Sequence, residues 1–260
     1  MIREERLAKI TEYINACRYA RIDDLVDYIG VSKPTIRRDL TELCNRGKIN
    51  FVRGGATSVS EPEKNGSGST FDPTETNSSN VLARQRIAAE AAKLVQPGDK
   101  IFLCAGRTTR EMAKHLKDMR HISVVTNDFI IAAELYRCEN IGVMMAGGEV
   151  KDNRGVPSTC GFASEDFISK LRVNAAFLSC DSVDVHSGCY ILNPGEVGLM
   201  RGVLANASRH IVMADHDKFS SNAFVSICKM DEIDVLVTDV GLSEDLRELL
   251  AKTNVKTLYA

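Results

Sequence analysis

The chain has 260 residues, 44% of them apolar and 26% charged, with a formal net charge of −2. This balance excludes a disordered chain and leaves room for one large domain or for a small one plus a medium one. Its eight cysteines include no CxxC pair and no Cys/His cluster at zinc spacing, so reduced thiols and no metal centre are expected.

The near-neutral total hides a gradient. Residues 1–60 hold 11 Lys/Arg against 8 Asp/Glu, and within 31–55 six basic side chains face two acidic ones. Positive charge is thus gathered in one short segment, where a footprint for phosphates would sit. The opening MIREERL lacks the apolar core of a signal peptide, and no run approaches the ~18 apolar residues a membrane helix needs. A cytoplasmic protein with no membrane partner is expected.

Three helical patterns come first. Within 4–16, Leu7, Ile10 and Ile14 recur on one face. Within 22–29, Ile22, Leu25, Val26 and Ile29 repeat that pattern, and Gly30 follows as a stop. The third starts at Ser32 as N-cap, with Pro34 in the first turn, where its missing N–H costs nothing. It turns Ile36, Leu40 and Leu43 inward and ends at Gly47. The short Gly30-Val31-Ser32 connection fits a helix-turn-helix. Its outward face carries Thr35, Arg37, Arg38, Thr41 and Asn45, with Ser32 and Lys33 at the end such a helix offers to base edges. One of Arg37 and Arg38 is expected to read a guanine edge or a phosphate while the other clamps the backbone. The alternative for Arg38 is an i, i+4 ion pair with Glu42. The next stretch, KINFVRGGATSV, turns at Gly54-Gly55 and fits a two-stranded wing bringing Lys48 and Arg53 to the DNA backbone. A three-helix interaction module without DNA fits the same pattern.

From Glu61 to Asn80, Pro, Gly, Ser, Asn and acids dominate, and only Phe71 is large and apolar. Such a stretch buries too little to offset its ordering entropy and reads as a flexible linker. The expected organisation is a DNA-binding domain over 1–58, a linker over 59–80 and a second domain over 81–260.

In the second domain, apolar runs alternate with amphipathic stretches. Strands are expected at 100–105, 122–126, 141–146, 175–180, 210–215, 234–239 and 255–260, and helices at 82–95, 108–118, 128–138, 162–171, 196–207 and 243–252. Short, continuously apolar strands between helices argue an α/β fold, a mainly parallel sheet covered by helices on both faces. Such sheets bind ligands beyond the carboxyl ends of their strands.

VSKPTIRRDLTEL followed by GKINFVRGGA resembles the winged helix-turn-helix of the DeoR-type regulators of bacterial sugar metabolism. The resemblance continues through RIAAEAAKLVQPGDKIFL, GRTT, VVTN, MMAGGE and ADHDKF, covering nearly the whole chain in the family's order. It implies a repressor whose second domain, similar in fold to ribose-phosphate isomerase and coenzyme A transferases, senses a phosphorylated sugar. Fold similarity to an enzyme does not confer activity.

Read with that in view, Gly106, Arg107, Thr108 and Thr109 open a helix after the first strand, where free N–H groups and a cation suit a phosphate. Thr126 and Asn127 repeat the placement after the second strand, where Asn127 and Asp128 also serve as plain N-caps. Gly147 and Gly148 follow the third and allow either close backbone approach or a tight turn. Asp181, Glu196 and Lys218 fall, by resemblance, at positions the family uses around its effector. The chain departs from the family at Cys104, where an acid is usual, at Arg107, where Thr is usual, and at Ser182, where Gly is usual. The first two changes would leave the pocket more positive by about two charges and favour an effector with more negative charge or a different polyol pattern. The bland reading is that Cys104 packs and Arg107 faces solvent.

The sequence thus points to a non-enzymatic DNA-binding repressor of a carbohydrate operon, released by a sugar phosphate, without cofactor or catalytic residues. Operator recognition implies a homo-oligomer, a dimer or a tetramer, on repeated half-sites. The other readings are an activator of the same family and an isomerase with Asp181, Asp184 or Glu196 as base.

Overall fold

A computed structural model describes residues 3–17, 19–46, 48–52, 55–58, 78–153 and 155–260. The chain divides into two units, Met1–Thr76 and Asn77–Ala260.

In the first unit, α1 spans Arg3–Cys17, β1 Tyr19–Arg21, α2 Ile22–Ile29, α3 Lys33–Asn45, β2 Ile49–Val52 and β3 Gly55–Ser58. The inward stripes meet as predicted: Leu7, Ile10, Ile14, Ile22, Leu25, Ile36, Leu40 and Leu43 form one buried cluster with Ile49 and Ala56. Strand β3 pairs antiparallel with β2, and on its other edge with β1, giving the order β1-β3-β2. The wing therefore has a third strand, too short to leave a periodic signal. Ser32 takes the N-cap position with extended backbone but makes no cap hydrogen bond. Its hydroxyl meets that of Thr35 at 2.9 Å instead. Gly47, Gly54 and Arg53 lie outside the described residues.

In the second unit, α4 runs Ser78–Ala92, so it begins inside the stretch expected as linker. Then come β4 Lys100–Leu103, α5 Arg107–Leu116, β5 Ile122–Thr126, α6 Phe129–Leu135 and β6 Ile141–Met145. A hairpin follows, β7 Glu149–Asp152 with β8 Pro157–Cys160, and then α7 Phe162–Ser169 and β9 Ala175–Ser179. The remainder is β10 Ser182–Asp184, β11 Gly188–Ile191, α8 Val197–Asn206, β12 His210–Met213, β13 Val225–Cys228, β14 Val235–Thr238, α9 Glu244–Ala251 and β15 Lys256–Tyr259. All seven expected strands form one sheet, every neighbouring pair parallel, in the order β15-β14-β12-β9-β4-β5-β6.

Alternation along the strands divides the core. Ile101, Leu103, Phe177, Ile211 and Met213 pack under α4, α5 and α6 with Ile87, Met112 and Leu135. Phe102, Leu178, Val212 and Leu236 pack under α7, α8 and α9 with Ile168, Val203 and Leu250. Both faces of the sheet are covered, which is why its strands read as continuous apolar runs. A smaller antiparallel sheet, β10-β11-β13, was not foreseen.

Chain order reverses beside β4. From β4 the chain builds outward through β5 and β6, then returns to place β9, β12, β14 and β15 on the other side. The β4/β9 boundary is the switch point, where flanking connections diverge and leave a crevice at the carboxyl ends.

Candidate functional site

The first unit presents the face of α3. Asp39 is 1% exposed and turned inward, where Arg6 of α1 donates to it twice, Nε to Oδ2 at 2.6 Å and Nη2 to Oδ1 at 3.2 Å. This pair locks α1 against α3 and fixes which side of α3 faces out. Ser32, Lys33, Arg37, Arg38 and Thr41 are exposed, as is Lys48 ahead of β2, and Thr35 is half-buried. The Arg38–Glu42 alternative is not realised. Glu42 pairs with Arg46, Nε to Oε1 at 2.9 Å, so the Arg38 guanidinium has no ion pair among the described residues. The result is a short basic face at the start of a helix held rigidly from behind, the geometry of a major-groove reader.

The second unit contains a cleft of about 680 Å³, open mouth included, over the carboxyl ends of three adjacent strands, β12, β9 and β4. Its wall after β4 is Ala105, Gly106, Arg107 and Thr108, which lead into α5. Ser179 ends β9, Cys180 and Asp181 follow it, and after β12 comes Lys218. Glu196 enters from the turn before α8 and Arg84 from α4, with Asn153 and Val156 of the β7–β8 hairpin beside them. Three cations and a helix start thus share one cleft with two carboxylates, a donor set for an anionic group plus hydroxyls.

Of the predicted effector residues, Gly106, Arg107, Thr108, Asp181, Glu196 and Lys218 line this cleft. Cys104, Thr109, Thr126, Asn127, Gly147 and Gly148 do not, and the first four make hydrogen bonds within the protein instead. Asn127 Oδ1 accepts the Ala105 N–H at 2.8 Å while its Nδ2 donates to the Thr159 carbonyl. Thr126 Oγ1 accepts the Asp128 N–H. Asp128, fully buried, caps α6 through Ile130 and Ile131 N–H, accepts from Gly106 N–H and pairs with Arg110 at 2.8 Å. Thr109 donates back to the Gly106 carbonyl. Together these groups hold the Ala105–Gly106 loop from behind. Gly148 is a turn residue at φ +142°, where a Cβ would lie 2.3 Å from Ser164 Oγ and 2.5 Å from the Cys160 carbonyl.

Cys104 lies beneath the cleft. Its sulfur accepts the Ser179 N–H at 2.9 Å, and burial pushes its thiol well above the usual range. Of the three departures noted in the sequence, Arg107 therefore changes the lining, Cys104 changes only the layer behind it, and Ser182 does not line the cleft. Asp181 Oδ2 accepts the Leu192 N–H at 2.8 Å, and Glu196 Oε1 accepts from Asn193 Nδ2 at 2.9 Å. Burial raises the Glu196 carboxyl, and the Asp181 charge adds to the effect. Ser179 was accessible to the rule that ligands sit after strand ends. Arg84 and Asn153 carried no local signal, since a helix and a hairpin distant in sequence bring them in. Among the described residues no group of His, Cys, Asp or Glu could hold a metal, and no helix is long and apolar enough to cross a membrane.

A helix-turn-helix unit with a basic outward face, followed by a parallel-sheet unit with a cation-lined cleft, defines a DNA-binding regulator with a sensor domain. Residues 6–62 match the DeoR-like helix-turn-helix domain and residues 79–240 the DeoR C terminal sensor domain, and the chain belongs to the DeoR family of transcriptional regulators. It is 34% identical to the HTH-type transcriptional regulator YulB of Bacillus subtilis, across 98% of this chain and 96% of that one. It is 30% identical to the transcriptional repressor AccR of Agrobacterium fabrum, across 99% and 97%. The glycerol-3-phosphate regulon repressor of Escherichia coli is 27% identical across 98% of both chains. These relatives are regulators, which answers the isomerase alternative. Among solved structures, ribose 5-phosphate isomerase A of Methanocaldococcus jannaschii covers 55% of each chain at 17% identity and a TM-score of 0.39.

Proposed function

We propose that the protein represses a carbohydrate-utilisation operon and leaves its operator when a phosphorylated sugar occupies the cleft of the second unit. The observation that carries this reading is the composition of the cleft: Arg84, Arg107, Lys218 and the start of α5 beside Asp181 and Glu196. The cations and the positive end of α5 suit a phosphate, and the carboxylates accept from sugar hydroxyls. The names of the relatives lend support, one being a glycerol-3-phosphate regulon repressor and another an aga operon repressor. In this reading residues 1–58 bind DNA, with Ser32, Lys33, Thr35, Arg37, Arg38, Thr41, Lys48 and Arg53 at the interface. Residues 81–260 sense the effector. The protein acts in the cytoplasm as a homo-oligomer, because a single winged module binds DNA weakly.

The test is a titration of DNA from upstream of the protein's own gene, with and without a panel of sugar phosphates and their unphosphorylated counterparts. Specific binding released by one phosphorylated compound is expected. Release by phosphorylated and unphosphorylated forms alike would remove the phosphate assignment.

A further inference from the structure

Helix α4 is the first regular element after residues 59–77, the stretch that leads out of the DNA-binding unit, and it also reaches the cleft. Arg84, on its second turn, lines the cleft with its Nε 3.5 Å from Asp215 Oδ2. Asp215 is 2% exposed, and its other oxygen has no hydrogen-bond partner among the described residues. One turn earlier on α4, Asn80 Nδ2 donates to Asp217 Oδ2 at 2.6 Å. Asp215 and Asp217 belong to the short turn after β12, His216–Phe219 with Asp215 as its cap, which carries Lys218 to the cleft. Asn80 and Arg84, four residues apart, lie on one face of α4, so the start of this helix is tied at two points to the element that supplies one of the cleft's cations.

We propose that α4 is the arm by which occupancy of the cleft is passed to the DNA-binding unit. An anion held jointly by Arg84 and Lys218 adds a third tie between the start of α4 and the β12 turn. The first turn of a helix, with its unpaired N–H groups, opens most readily, so one added charged contact there changes its order strongly. Ligand-bound and ligand-free states then differ in the order of the first turns of α4, and coupling requires such a differential contact. The inference rests on the cleft being the effector site.

The test uses amide hydrogen exchange of the full chain, titrated with glycerol 3-phosphate and separately with inorganic phosphate. In the parent chain a bound probe slows exchange across Ser78–Arg86 by about tenfold, together with protection at Gly106–Thr108. Arg84→Gln weakens probe binding about tenfold, and saturation of that variant protects the Gly106–Thr108 loop without slowing α4. Asn80 does not line the cleft, so Asn80→Ala binds the probe within about twofold of the parent while protection of α4 is lost. Protection of the loop with α4 exchange unchanged in the parent chain would overturn the arm and leave the effector site standing. No protection at the loop by either probe would overturn the effector assignment, and the arm with it.

Discussion

Arg6 grips Asp39 through two hydrogen bonds, at 2.6 and 3.2 Å, while Arg37 and Arg38 just before it on the same helix stand exposed. Three adjacent charges in RRD thus do two different jobs. The acid is buried and fastens α3 to α1, and the arginines are left for a partner.

The two jobs separate on mutation. Asp39→Ala leaves Arg6 without its carboxylate and costs about 2–3 kcal/mol, read as a lower urea midpoint for the first unit. Arg37→Ala and Arg38→Ala change stability by less than about 0.5 kcal/mol but weaken operator binding by about 1–3 kcal/mol if the residue reads a base. A loss equal on operator and random DNA identifies a phosphate contact.

Gly147 and Gly148, adjacent and equally suited to a binding loop in the sequence, differ in the structure. A Cβ on Gly147 meets nothing within 4 Å, whereas one on Gly148 collides with Ser164 and Cys160 in a backbone region that disfavours side chains. Gly147→Ala is expected to be near neutral and Gly148→Ala to cost about 2–3 kcal/mol in thermal melting. Equal effects at the two positions would mean the turn relaxes around a side chain.

What the sequence disclosed depended on how each element meets its surroundings. The five inner strands of the parallel sheet were legible because burial on both faces imposes unbroken apolar runs such as AAFLS and VLVT, and the edge strands β6 and β15, partly exposed, still carried enough apolar residues to be read. Strand β7, EVKD, is exposed at every position and carries no such constraint. The cleft was legible where it follows strand ends, at Gly106 to Thr108, Asp181 and Lys218. Thr126 and Asn127, expected beside it, lie outside the lining and hold the loop from behind, because groups that bind a ligand and groups that hold the binding loop have the same chemistry. Arg84 enters through the packing of α4 beside Asp215, a relationship across 131 residues that no local pattern encodes.

Cys104 has the chemistry of a buried thiol. Burial pushes its titration upward, with the charges of Glu196 and Asp128 adding to this and only the Ser179 N–H opposing it. The thiolate is the reactive form, so native Cys104 is expected to resist iodoacetamide at neutral pH while the partly exposed Cys44 and Cys138 react. Peptide mass spectrometry with and without urea reads this directly. Labelling of Cys104 in the folded chain at the rate of Cys138 would show that the layer beneath the cleft opens to solvent.

Glu196 gives the cleft a pH signature of its own. Burial lifts its carboxyl above the ordinary value of 4.5 and the Asp181 charge adds to that, against the hydrogen bond from Asn193. The folded chain therefore holds this proton more tightly than the unfolded chain does. By linkage, the group favours folding most below pH 4.5, and this contribution falls as pH rises from 4.5 through the raised folded value. Glu196→Gln removes the titration and keeps an oxygen for the Asn193 amide. The variant should be more stable than the parent at neutral pH, with the difference shrinking as pH falls toward 4.5, in urea unfolding followed across that range. A saturating anionic effector should narrow the gap, because positive and negative groups in the cleft are then paired with ligand in both proteins. A difference independent of pH would mean that the carboxylate is fully compensated where it sits, and that Asp181 and Glu196 do not strain each other in the empty cleft.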